Sequence, residues 1–157
     1  MVVETSLLKA TIDADLKNAL LSGERFRADV LRGLKAAILN EEVAQGKRDE
    51  GLANEEVEKI VAREVKKRAE SVELYIKANR QELADNEKAE AAVLSAYLPE
   101  QLSEADIQEV VDEIVASLEV RGPQAMGQVI GAVKSKLGNS ADGAVIARLV
   151  KQALSEA

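Results

Sequence analysis

The chain has 157 residues, with 21 Lys plus Arg against 28 Asp plus Glu, a formal charge of −7, and no His, Cys or Trp. The missing Cys and His remove disulfides, thiolate nucleophiles, the commonest general base and the usual transition-metal ligands, so no catalytic residue, metal site or cofactor site is expected. The length fits one compact domain or two small ones, and the acidic balance disfavours a protein that coats DNA.

The opening residues, MVVETSLLKATIDADLK, lack a basic start followed by an apolar stretch and a small-residue cleavage site, so they do not read as a signal peptide. No apolar run reaches the roughly 18 residues that span a bilayer. Cytoplasm is therefore the expected compartment, with no membrane partner.

Apolar residues recur every three or four positions throughout, and Ala, Leu, Glu and Lys dominate, so the chain is predicted to be all-α. The spacing predicts a first helix over about 6–21, with Leu8, Ile12, Leu16, Ala19 and Leu20 on one stripe, followed by Gly23. A second helix over about 24–44 carries Phe26, Val30, Leu31, Leu34, Ile38 and Leu39, and Gly46 ends it. Asn54 is the expected N-cap of a third, reaching about Ala78, with acids in its first turn and a stripe of Val57, Val61, Val65, Val72, Tyr75 and Ile76. A fourth, over about 81–97, presents Leu83, Val93 and Leu94 and stops at Leu98-Pro99, since Pro disfavours helix in the residue before it. These four form an N-terminal helical hairpin or bundle over residues 1–98.

Residues 99–157 are predicted to form a small C-terminal three-helix domain. Ser103-Glu104-Ala105-Asp106 resembles a capping box ahead of Ile107, Val110, Val111, Ile114 and Leu118. Gly122-Pro123 opens a sixth helix through Met126, Val129, Ile130, Val133 and Leu137, closed by Gly138. Ser140 is the expected cap of a seventh, which buries Val145, Ile146, Leu149, Val150 and Leu154. Gly127 and Gly131, four apart, read as a packing notch for a neighbouring helix.

Charge is uneven along the chain. Residues 1–99 carry 16 basic and 19 acidic groups, residues 100–120 none and seven, and residues 121–157 five and two. The last two helices are thus basic through Arg121, Lys134, Lys136, Arg148 and Lys151, while the fifth is wholly acidic. An anion-facing surface and an ordinary solvated face both fit this pattern. A second basic cluster, Lys59, Arg63, Lys66, Lys67 and Arg68, has acids four residues away, as in Glu64 and Arg68, and reads as helix-surface ion pairing. The segment Asn139 to Gly143 offers a helix start that suits phosphate, although Ser140 and Asp142 are equipped to take its free N–H groups themselves. Acidic pairs such as Asp13/Asp15, Glu41/Glu42 and Glu55/Glu56 read as solvated surface. No G-x-x-x-x-G-K-[ST] or G-x-G-x-x-G motif is present, and two Tyr and one Phe do not make a base-stacking platform.

The stretches VLRGLKAAILNEEVAQGK (30–47), REVKKRAESVELYIKANRQELADNEKAE (63–90), AYLPEQLSEADI (96–107) and AMGQVIGAVKSKLGNSADGAVIARLVKQAL (125–154) resemble a stand-alone member of the GatB/YqeY family over nearly the whole chain. Tyr97-Leu98-Pro99, Met126-Gly127 and Ala141-Asp142-Gly143 carry the likeness, while Asn79 replaces an expected Gly and Ala144 an expected basic residue. The resemblance implies four N-terminal helices and a C-terminal part similar to the tail of the B subunit of glutamine-dependent aspartyl/glutamyl-tRNA amidotransferase, where the tail helps hold tRNA. It also implies the family label of a carbon–nitrogen ligase with glutamine as amide donor, for which these residues supply neither an ATP site nor a Cys-based glutaminase. The expected function is that of an accessory tRNA- or RNA-binding helical protein, with Lys134, Lys136, Arg148 and Lys151 on phosphates. The alternative is a protein-interaction module that docks on an amidotransferase or aminoacyl-tRNA synthetase subunit through the acidic fifth helix or an incompletely buried stripe.

Overall fold

In the computed structural model, residues 7–119 and 122–156 are described; the predicted helix start at Ser6 and the basic residue Arg121 lie outside them. The described residues form seven α-helices and two single 3-10 turns, with no strand. The chain divides into two compact units, residues 1–98 and 99–157.

The first unit comprises α1 (Leu7–Ser22), α2 (Arg25–Ala44), α3 (Asn54–Lys77) and α4 (Gln81–Ser95). Its core joins Ile12, Leu16 and Ala19 of α1 to Leu31, Leu34 and Ile38 of α2, Val57 and Val61 of α3, and Leu94 of α4. The apolar stripes are narrower than their spacing predicts. Leu20, Phe26, Leu39 and Ile76 are 43 to 50% exposed, because a helix buries only the face that meets a neighbour. Leu20, for instance, lies about 80° around α1 from Ile12, counting about 100° per residue. In α3, no residue after Val61 is buried.

Caps differ from expectation where a longer-range partner competes. Ala53 holds the N-cap position of α3 with no side-chain bond. Asn54 is already helical, and its Oδ1 accepts the Leu8 N–H at 3.0 Å, tying α3 to α1 instead. The other end of α3 closes as a Schellman turn: the Arg80 N–H donates to the Tyr75 carbonyl at 2.8 Å and the Asn79 N–H to Ile76 at 3.1 Å. Asn79 itself sits at φ +59°, the left-handed conformation that glycine adopts most easily.

The second unit comprises α5 (Glu104–Ser117), α6 (Met126–Leu137) and α7 (Gly143–Glu156), with 3-10 turns at Pro123–Ala125 and Gly138–Ser140. Ile107, Val111, Val129, Val133, Ile146 and Val150 form the centre of its own core. Ser103 caps α5, its Oγ accepting the Asp106 N–H at 3.2 Å. Two expectations fail here. Gly127 and Gly131 are exposed, and nothing lies within 4 Å of where a Cβ would stand, so they form no packing notch. Ser140 does not cap α7; its carbonyl accepts the Leu102 N–H at 2.8 Å, while Asp142 Oδ1 takes the Ala144 N–H at 2.8 Å.

Candidate functional site

The four basic residues singled out in the sequence stand on α6 and α7. Lys134 and Lys136 occupy the last turn of α6, where the negative end of the helix dipole favours cations. Arg148 and Lys151, three residues apart on α7, project from the side opposite its buried residues Ile146, Leu149, Val150 and Leu154. All four side chains are exposed.

Folding brings the acidic helix against two of them. Lys136 Nζ lies 3.3 Å from Glu113 Oε2, and Arg148 forms an ion pair with Glu104. Lys134 and Lys151 make no ion pair among the described residues; Lys134 instead extends beside Gly143, its Nζ 3.5 Å from where a Cβ would stand. The acidic and basic segments, separate along the chain, therefore share one three-helix unit and partly neutralise each other. Ile107, Val111 and Val115 of α5 are buried in the core of that unit, while Val110, Ile114 and Leu118 on the same helix or its end are half-buried.

At the start of α7 the Asp142 carboxylate occupies a helix N–H that a phosphate would need. The basic cluster of α3 is largely matched by acids: Arg68 bonds Glu64 at 2.9 Å and approaches Glu90 of α4 at 3.5 Å, Lys67 approaches Glu64 at 3.7 Å, and Arg63 approaches Glu41 of α2 at 3.8 Å. Among the described residues, no group of three or more His, Cys, Asp or Glu is arranged to hold a metal ion.

Two polar positions of the first unit are poorly described by a solvated-surface reading. Glu42 is 1% exposed; it pairs with Lys9 at 2.8 Å and accepts the Leu52 N–H at 3.1 Å. Asp15 accepts the Tyr97 hydroxyl at 2.6 Å. Burial, with the Asp15 carboxylate beside it, pushes the Tyr97 phenol up to about 12, against the opposing pull of Arg27. Tyr97, with Asp15 and Glu24 nearby, in turn raises Arg27 above its ordinary range. Both sets of contacts join separate segments of the first unit. Nothing local marks Glu42, whose partners come from residues 9 and 52.

Residues 9–154, which include all of these groups, match the family model described as Yqey-like protein. The chain belongs to the YqeY-like family. Relatives of this YqeY-like chain include the protein named "Altered inheritance of mitochondria protein 41, mitochondrial" of Pyrenophora tritici-repentis, 26% identical over 144 residues, which are 90% of this chain and 77% of that protein. Its counterpart of the same name in Lachancea thermotolerans is 31% identical over 118 residues, covering 73% and 61% of the two chains. That of Meyerozyma guilliermondii is 28% identical over 131 residues, covering 82% and 67%. The YqeY-like chain thus spans about three fifths to three quarters of these relatives.

These relatives are named as mitochondrial proteins, which overturns the cytoplasmic expectation. That expectation rested on the lack of a targeting segment at the start of the sequence, and such a lack does not specify a compartment.

Proposed function

We propose that this YqeY-like protein is an accessory RNA-binding protein related to glutamine-dependent tRNA amidation, contacting tRNA phosphates through Lys134, Lys136, Arg148 and Lys151. The observation that supports this reading is that all four cations stand exposed on one small helical unit, the one that resembles the tRNA-holding tail of the amidotransferase B subunit. The two carboxylates already present do not preclude it. Exposed ion pairs of the Lys136–Glu113 and Arg148–Glu104 kind are worth about 0–1 kcal/mol, so a phosphate that releases condensed counterions competes with them. The role is one of holding RNA, with amide chemistry supplied by another protein.

Fluorescence anisotropy of labelled tRNA titrated with the protein, at about 50 and 200 mM salt, tests this directly. The expected result is binding that weakens with salt and falls about tenfold or more in a Lys134→Glu/Lys151→Glu variant. No binding at the lower salt concentration would overturn it. The protein-docking reading has its support in the other unit, in the exposed apolar residues of α1 and α2.

A further inference from the structure

Among the described residues, six of the eight large apolar residues that stand exposed belong to α1 or α2: Leu7, Leu20, Leu21, Phe26, Leu39 and Val43. On α2, Leu39 and Val43 enter a regular pattern, from which Phe26 stands apart. Arg25, Asp29, Arg32, Ala36, Leu39 and Val43 follow alternating steps of four and three residues, the spacing of a helix seam that meets another helix, and all six are exposed. The seam borders grooves between α1 and α2. One, of about 370 Å³, is lined by Leu20 of α1 with Arg25, Ala28 and Arg32 of α2. A second, of about 180 Å³, is lined by Lys9 of α1 with Lys35, Ile38 and Leu39 of α2.

The seam is polarised. Its first half carries Arg25 and Arg32 around Asp29, and its second half carries Ala36, Leu39 and Val43. Arg25 has no ion pair among the described residues, and the Arg32–Asp29 contact, at 3.4 Å, is an exposed pair of small worth. Pairing with a second copy of α2 is mismatched either way. An antiparallel arrangement sets guanidinium groups against Leu39 and Val43, and a parallel one sets Arg25 against Arg25 and Arg32 against Arg32.

We infer that the exposed seam of α2, with the groove beside α1, docks an amphipathic helix of a different protein, apolar where it meets Ala36, Leu39 and Val43 and acidic where it meets Arg25 and Arg32. The 18-residue step from Arg25 to Val43 runs about 27 Å, so the docked helix has about five turns. The apolar half supplies burial, and the charged half sets orientation and excludes basic helices. This inference does not rest on the RNA reading, which concerns the other unit.

The test uses the full chain and two synthetic 18-residue helical peptides with the same Leu seam, one bearing Glu and one bearing Lys along the half that would meet the arginines. Amide chemical shifts are followed in the labelled protein. The Glu peptide is expected to perturb residues 25–43 together with Lys9 and Leu20. Its affinity is expected to fall about tenfold or more in a Leu39→Glu/Val43→Glu variant, while Arg25→Glu/Arg32→Glu moves the preference to the Lys peptide. The variants alter exposed positions, and far-ultraviolet circular dichroism verifies that each remains helical. Equal binding of both peptides, or no perturbation of α2, would overturn the inference. So would self-association in analytical ultracentrifugation that Leu39→Glu/Val43→Glu abolishes, which makes a second copy the occupant. Flotation with phosphatidylglycerol vesicles that the same variant abolishes makes it a membrane, with the same consequence.

Discussion

The Glu42 carboxylate of α2, 1% exposed, receives the Lys9 ammonium of α1 on both oxygens at 2.8 and 2.9 Å, and one of those oxygens also accepts the Leu52 N–H. One buried charge thus ties α1, α2 and the segment leading to α3. Glu42→Ala is expected to cost about 3 kcal/mol, because it leaves an ammonium and a buried N–H without their partner. Urea denaturation measures the loss. Hydrogen exchange at the Leu52 amide is expected to quicken in the variant.

Tyr97 links the end of the first unit to its beginning through Asp15. Its phenol titrates at about 12 when folded, against an ordinary value of 10.0, so the folded state keeps a proton that the unfolded chain releases. Stability from this group is complete below pH 10 and is lost as pH rises toward 12. The loss amounts to about 2–3 kcal/mol at two units of separation. Denaturation of wild type and Tyr97→Phe between about pH 8 and 12 is expected to show a difference that narrows across this window.

If phosphates replace Glu104 and Glu113 on Arg148 and Lys136, then removing those carboxylates aids RNA binding. Glu104→Gln/Glu113→Gln is expected to tighten tRNA binding about three- to tenfold and to steepen its salt dependence. Thermal stability is expected to change by less than about 1 kcal/mol, because both pairs are exposed. Anisotropy and thermal melts on the same samples test the two halves of this expectation.

Asn79 holds the left-handed position of the turn between α3 and α4 at φ +59°. Asn79→Gly relieves the conformational cost and is expected to leave stability unchanged or raise it by up to about 1 kcal/mol, since the greater freedom of glycine in the unfolded chain offsets part of the gain. Asn79→Val places a β-branched side chain at positive φ and is expected to lower stability by about 1–2 kcal/mol. Melting temperatures of the three proteins give the order.

The sequence by itself determined the helices, their order and much of their ends, because those depend on interactions within four residues: the apolar period, Ser103 with Asp106, Pro99 after α4, Gly138 after α6. It also placed the basic residues on the last two helices. Tertiary structure decided what each face meets. Leu39 and Phe26 continue an apolar stripe yet remain exposed, because no described neighbour covers that side of α2, whereas Glu42 looks like a surface acid yet is buried by partners 33 and 10 positions away. Charge followed the same rule. Glu104 and Arg148 are 44 positions apart, and Glu113 and Lys136 are 23 apart; only packing of α5 against α6 and α7 brought two oppositely charged segments into ion-pair contact.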